Sequence, residues 1–338
     1  MKFSLVIPYH LEDTRLLHRL LCSVQSQICF NFAELETIVV ANFSFDKERR
    51  SADSLCALPF SFVDLNITLV EETKPGPSAA RNKGLDIAKG EYILFADCDD
   101  VYARNDVFCQ FMADVTCEPH VEYISYDFTE TVDYPSEHQV PFVPHNNTDL
   151  WSFAKIYKRE FLEAYNIRFC EDLKVYEDTH FCKLCKALAN ETPHSTSPPV
   201  YYWVNRVGST IRSGGERQQI LNHMYMVKNL IAIYNDVERI KTGYATDEAK
   251  LEQLKQDAIK WVVGSALDVW QLAKLSDNMD AYNEVDSYTS YIIPYVGDSI
   301  SPQWYYDFVK REKPNLFMND LEYHDVLDGI EIVKDLIF

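Results

Sequence analysis

Four short apolar runs, separated by segments of helical period, constrain this chain more than any other feature. "FSLVIP" (3–8), "LETIVVA" (35–41), "NITLVEE" (66–72) and "EYILFAD" (91–97) read as buried strands, because a solvated sheet face would place polar residues at alternate positions. Between the first two, Leu16, Leu17, Leu20, Leu21 and Val24 share one helical stripe, with Arg15, His18 and Arg19 among the polar positions. Between the last two, "PSAARNKGLDIAKG" (77–90) reads as a helix that opens near Pro77 and Ser78 and is closed by Gly90. Strands that alternate with helices imply right-handed βαβ units, so the predicted fold is α/β: a mostly parallel, Rossmann-like sheet flanked by helices. Ligands of such sheets sit at the carboxyl ends of the strands. Tyr9 and His10, Asn42, Lys74 to Pro77 and Asp97 to Asp100 all fall there.

Beyond residue 110 the rhythm changes. "VEYISYDFTE" (121–130) and "PPVYYWVNR" (198–206) read as strands of a mixed-sheet extension, and "YEDTHFCKLCKALA" (176–189) between them is predicted helical from Asp178. From Glu216 apolar residues recur near every third or fourth position, which predicts a helical appendage. The expected organisation is therefore 1–110, 111–215 and 216–338, the last boundary resting on "SGG" at 213–215 and the change of period.

Bulk properties narrow the function classes. With 338 residues and 47% hydrophobic content the chain is long and apolar enough for a substantial core. A net charge of −20 without any Lys/Arg-rich run repels phosphate backbones and argues against nucleic acid as a partner. A nucleotide diphosphate would need a local cation. Nine scattered cysteines lack the compact spacing of a disulfide scaffold and suit a reducing cytoplasm, with "CKLC" (182–185) read as helix packing. The N-terminal "MKFSLVIPYH" does not resemble a signal peptide, and no apolar run reaches the roughly 20 residues of a bilayer span. The expectation is a soluble cytoplasmic protein, with peripheral contact at the inner face of a membrane compatible with it.

"ADCDD" (96–100) poses an electrostatic question, because Asp97, Asp99 and Asp100 crowd together directly after a buried strand. A hard divalent cation, bound by one or two carboxylates plus substrate phosphates, would answer it. Asp97 and Asp99 occupy alternate positions, so that one suits the metal and the other a sugar hydroxyl. The competing reading is a polar loop with Asp99 or Asp100 capping a helix.

"FSLVIPYH", "LLCSVQSQ", "ETIVVANFS", "GPSAARNKGLDIAKGEYILFADCDD" and "VYEDTHFCKL" come in the order and near the spacing of the family 2 glycosyltransferases with the GT-A fold. The resemblance is close over 1–110, looser over 151–213, and ends there. It implies an inverting, metal-dependent transfer of a sugar from a nucleotide diphosphate to a hydroxyl of a saccharide or lipid-linked acceptor, with Mn2+ or Mg2+ as cofactor. Asp99 is similar to the family's metal-binding aspartate and Asp97 to the one that contacts the donor's ribose or the metal. Pro8 and Tyr9 stand where the first-strand loop packs around the base, and Arg81 matches an arginine near base and phosphate, a salt bridge across the helix start being its other reading. Asp178, after Glu177, resembles the catalytic base. In "NRVGSTIRS" (205–213), Arg206 or Arg212 resembles a loop cation over the diphosphate, unless these arginines simply pair with surface acids.

Where the family usually has "VVDDGS" this chain has "VVANFS", which puts Asn42 at an acidic base-reading position. An amide accepts once and donates once, which suits uracil better than guanine, so a UDP-sugar is the favoured donor. The altered motif also leaves open a nucleotide-sugar-binding protein without catalysis. A nucleotidyltransferase would need glycines after the first strand, where "VIPYHLEDTRLL" (6–17) has none. Trp261, Trp270, Trp304, Tyr305 and Tyr306 in the C-terminal region read as core, although a homodimer surface is compatible with them.

Overall fold

The first strand, β1 (Phe3–Tyr9), is buried along nearly its whole length and forms the spine of the sheet. The computed structural model describes residues 1–132, 142–146, 150–190, 193–195, 198–205, 216–244 and 247–276. After β1 come α1 (Thr14–Gln25), β2 (Leu35–Ala41), α2 (Arg49–Cys56), α3 (Leu58–Ser61), β3 (Asn66–Glu71), α4 (Pro77–Ile87) and β4 (Tyr92–Phe95). Helix α1 is capped by the Asp13 side chain, which accepts from the Arg15 N–H, and it buries Leu17, Leu20, Leu21 and Val24. That is the stripe its sequence sets out. β1 pairs in parallel with β2 and β4, and β2 in parallel with β3.

The chain continues through β5 (Val101–Tyr102), α5 (Val107–Cys117), β6 (Tyr123–Tyr126), β7 (Phe128–Val132), β8 (Val143–His145), β9 (Lys155–Lys158), α6 (Arg159–Ala164), α7 (Glu177–Leu188), β10 (His194–Ser195) and β11 (Tyr201–Asn205). Seven strands form one sheet in the order β10-β6-β9-β4-β1-β2-β3, and four form a second in the order β5-β11-β7-β8. β9 runs antiparallel between β4 and β6, which makes the main sheet mixed at that side. This is the α/β arrangement the strand–helix alternation predicts.

Three details depart from the sequence reading. β3 is an edge strand, not a doubly buried one: Asn66, Thr68 and Glu71 are exposed while Ile67 and Leu69 are half-buried, so its alternation is that of a solvated edge. "VEYISYDFTE" is two strands, because the chain leaves the main sheet after Tyr126 and joins the second at Phe128. Helix α4 ends at Ile87, and Gly90 does not cap it.

Gly90 instead serves close approach. A Cβ there would lie 2.5 Å from the Phe3 carbonyl carbon and 2.5 Å from the Ser4 nitrogen. Its N–H donates to Ser4 Oγ at 2.8 Å and to the buried Glu36 carboxylate at 3.2 Å, which also accepts from the Lys89 N–H at 2.6 Å. The turn into β4 is thus pressed on the backbone of β1, with Glu36 gathering the donors.

Residues Thr210–Phe338 form a second compact unit, Met1–Ser209 being the first. Its described part is α8 (Glu216–Gly243) and α9 (Glu248–Ser276), which pack on each other and bury Val227, Leu230, Ile233 and Val237 of one and Leu251, Ile259 and Val262 of the other. Trp261 is half-buried. The side chain of Trp270, and Trp304, Tyr305 and Tyr306, lie outside the described residues. No helix among the described residues is long and apolar enough to cross a membrane.

Because the clash at Gly90 is with backbone, it has no side chain to yield. Gly90→Ala is expected to lose about 2–4 kcal/mol in urea unfolding; a loss under about 0.5 kcal/mol would mean that the turn is not seated on β1.

Candidate active site

At the end of β4 the three carboxylates of "ADCDD" part company. Asp100 is buried, and one oxygen accepts from the Val204 N–H of β11 at 2.7 Å. Burial, then the charges of Asp97 and Asp99, push its carboxyl well above the usual carboxylate range, opposed by that hydrogen bond. It caps no helix; it fastens the second sheet to the tip of β4. Asp97 remains a third exposed (33%), and its N–H donates to the Tyr201 hydroxyl at 3.0 Å. Asp99 is half-buried, and its carbonyl accepts from the Arg19 guanidinium.

The positive charge on the Asp97 carboxylate is Arg81. Its side chain is only 6% exposed, and it donates through NH2 to Asp97 at 2.8 Å and through NH1 to Glu177 at 2.9 Å. The guanidinium also lies over the Phe169 ring, 5.2 Å from its centroid. Burial alone would lower its pKa, but Asp97, Glu177 and Asp178 outweigh burial and hold it above the normal value.

Helix α4 aims this arginine. Ser78, Arg81 and Asn82 stand at i, i+3 and i+4 and so share one face. All three reach the segment before α7: Ser78 Oγ donates to the Cys170 carbonyl at 3.1 Å, and Asn82 donates to the Phe169 carbonyl at 2.9 Å and accepts from its N–H at 2.9 Å. Asn82 also donates to Glu171 at 2.9 Å, and Lys74 forms an ion pair with the same carboxylate. The face of one helix thereby carries the start of α7 to the tip of β4.

At that start, Tyr176 adopts a left-handed conformation (φ 66°), which a tyrosine takes only when its surroundings impose it. Glu177 and Asp178 follow as the first turn of α7. The helix is predicted from Asp178 and begins one residue earlier. Burial, then the adjacent Glu177 charge, push Asp178 up to about 8, with Arg81 and the Thr179 N–H at 2.7 Å working against the shift. Glu177 and Asp97 take the arginine's direct hydrogen bonds, and none is made to Asp178.

The other residues singled out from the sequence are placed as follows. Pro8 is half-buried at the end of β1. Tyr9 is 2% exposed, its ring packs edge-on against Phe43 at 6.2 Å and its hydroxyl donates to the Glu12 carbonyl at 2.6 Å, so its side chain belongs to the core. Asn42 is committed to the β3–α4 loop: its amide donates to the carbonyls of Glu72 at 3.1 Å and Lys74 at 2.6 Å, and its Oδ1 accepts from the Gly76 N–H at 2.8 Å. Gly76 precedes α4 at φ 112°, a conformation that other residues rarely adopt. Arg206 and Arg212 lie outside the described residues. Sequence reasoning missed Tyr201, which carried no local signal, and Ser78 and Asn82, whose helical spacing with Arg81 was the available one.

Together these features describe an α/β protein with two acidic centres, Asp97–Asp99 and Glu177–Asp178, held at the ligand edge of its sheet by one buried guanidinium. Residues 4–171 match the family model "Glycosyl transferase family 2", and through that segment the chain belongs to this family. It is 25% identical over 241 residues to the poly(ribitol-phosphate) beta-N-acetylglucosaminyltransferase TarS of Staphylococcus aureus, covering 69% of this chain and 40% of that one. It is 28% identical over 218 residues to a poly(ribitol-phosphate) beta-glucosyltransferase of Bacillus spizizenii, covering 62% and 33%. The chain therefore spans less than half the length of these curated relatives. A crystal structure of S. aureus TarS 1-349 in complex with UDP-GlcNAc shares the GT-A fold at a TM-score of 0.64 and 19% identity, covering 100% of this chain and 90% of that one.

If Arg81 holds these acids together, Arg81→Gln leaves buried carboxylates without their counter-charge and is expected to cost about 3–5 kcal/mol at neutral pH. The deficit should shrink as pH falls toward 5, where the stranded carboxylates take up protons. Urea unfolding across that range checks it; a deficit under about 1 kcal/mol, or one that does not vary with pH, would show that the arginine is not their counter-ion.

Proposed function

We propose that the chain is an inverting glycosyltransferase that moves a sugar from a nucleotide diphosphate, a UDP-sugar by preference, to a hydroxyl of a saccharide or lipid-linked acceptor. The observation that carries this reading is the Arg81 bridge, which ties Glu177, the neighbour of Asp178, to Asp97 at the tip of β4. Single displacement needs that separation of roles. The acceptor oxygen bonds to the anomeric carbon, the bond from that carbon to the diphosphate oxygen breaks, and the hydroxyl proton passes to Asp178 on the opposite face. The leaving group departs as the nucleoside diphosphate, and no covalent enzyme intermediate is needed.

The donor set fits a metal that is shared with substrate. Among the described residues no group of three metal-ligating side chains occurs. Asp99, with Asp97 beside it, would supply the one or two carboxylates that Mg2+ or Mn2+ takes when phosphates complete its shell. Such an ion would offset charge on the departing diphosphate. Uridine is supported by the relative solved with UDP-GlcNAc. Arg206 is proposed as a further cation toward the diphosphate.

A base held near 8 sets the pH behaviour. Below that value Asp178 carries the proton it must accept, so kcat/KM should rise with pH and level off above about 8. Asp178→Asn should cut kcat by about 10²–10⁴-fold. The stability effect runs the other way. A folded-state pKa raised above the unfolded value of 3.8 contributes stability that is complete below about 4 and lost as pH rises through about 8. Asp178→Asn should therefore melt higher than wild type at about pH 9 and alike at about pH 4. Retained activity, or a lower melting temperature at high pH, would remove Asp178 from the role of base.

Ion binding should depend on the nucleotide. In calorimetry, Mn2+ is expected to bind at least about tenfold more tightly with UDP present than without it, and Asp99→Asn to abolish the gain. Equal affinity with and without UDP would contradict a metal shared between Asp99 and the diphosphate.

A further inference from the structure

The second sheet presents a graded aromatic face beside the proposed base. Along β11, Tyr201, Trp203 and Asn205 alternate onto one side, and in register with them β7 sets Phe128 beside Tyr201 and Glu130 beside Trp203. Toward the tip of β4 this face is core: Tyr201, Phe128 and Phe153 are buried, with Phe153 stacked on Tyr201 at 4.7 Å and 17°. Away from it the rings become accessible. Trp151 and Trp203 are half-buried, 5.3 Å apart, and Trp151 lies nearly parallel to Phe153 at 23°.

This face is tied directly to the helix of the base. Thr179, the residue after Asp178, donates its hydroxyl to the Leu150 carbonyl at 2.9 Å, and Cys182 Sγ donates to the Trp151 carbonyl at 3.3 Å. The segment that carries Trp151 is therefore held to the first turns of α7. On its other flank, Tyr201 and Val204 bind Asp97 and Asp100 through the hydrogen bonds already described.

We propose that Trp151 and Trp203 form a stacking platform for a pyranose ring of the acceptor, an inference that rests on the glycosyltransferase reading. One feature selects a pyranose over the polyol-phosphate polymer in the names of the relatives. Indole faces match the C–H face of a sugar ring, which an open-chain polyol does not present. The polar side chains at the platform include Glu130, Asn205 and His145: Asn205 Nδ2 donates to Glu130 at 3.2 Å, and His145, stacked on Phe128 and 5.4 Å from the Trp151 ring, lies 3.4 Å from the same carboxylate, a set that accepts from and donates to hydroxyls. Lys155, close by in sequence, is 2% exposed and spends its ammonium on the carbonyls of Trp151 at 2.6 Å and Phe153 at 3.4 Å, so it is not presented to an anion.

Saturation-transfer NMR on the full chain, with methyl pyranosides of glucose, galactose, mannose and N-acetylglucosamine against ribitol 5-phosphate, tests this without requiring turnover. At least one pyranoside should receive saturation on its ring C–H protons, reduced about fivefold or more in Trp151→Ala and Trp203→Ala and retained in Trp151→Phe, with thermal melts confirming that each variant folds. In coupled assays with UDP-sugars, Trp151→Ala should raise the acceptor KM about tenfold with less than a twofold change in donor KM. Saturation of ribitol 5-phosphate alone, or pyranoside signals unchanged in both folded alanine variants, overturns the platform. Failure of every UDP-sugar to release UDP overturns the catalytic reading instead, and the NMR comparison still decides the platform.

Discussion

One buried guanidinium sets the terms for this site. Arg81 joins Asp97, sixteen residues away in sequence, to Glu177, ninety-six residues away, and sits among carboxylates that would otherwise repel one another. Burying a cation and several acids is costly, and a well-packed apolar cluster would serve stability as well or better. Its retention makes sense as placement. It fixes the spacing of two acidic centres, and it makes no direct hydrogen bond to Asp178, so that burial and Glu177 push that carboxyl up to about 8.

Everything around Arg81 serves its position. Asn42 shapes the loop that leads into α4, Gly76 turns the chain, and Ser78 and Asn82 clamp the same helical face to residues 169–171. Asp100 does the equivalent for the other sheet by holding the Val204 N–H. Some of the side chains that look from the sequence like ligand contacts instead form the walls of the site. Tyr9, Asn42 and Asp100 make wall contacts, which accounts for their burial.

The strands and α4 were legible because their signal is local: a short apolar run between turn residues means the same thing wherever it stands. The edge position of β3 was misread as a buried strand, although Asn66 and Thr68 alternate with Ile67 and Leu69. What could not be read depended on distant partners. β9 hid because it has four residues and opens on Lys155, whose burial is intelligible only once the Trp151 carbonyl is seen to bind it. The parting of Asp97, Asp99 and Asp100 hid because Val204 and Tyr201 arrive from a hundred residues later. The acidic motif and the "ED" pair were visible as chemistry, while their union through Arg81 required the fold.

The coupling between these centres is measured most directly by a double-mutant cycle on unfolding free energy, with Arg81→Gln and Glu177→Gln singly and together. A bridge of this kind predicts a favourable interaction energy of about 2 kcal/mol or more, at the upper end for contacting groups. A value within about 0.5 kcal/mol of zero would contradict it, and with it the argument that one arginine assembles the site.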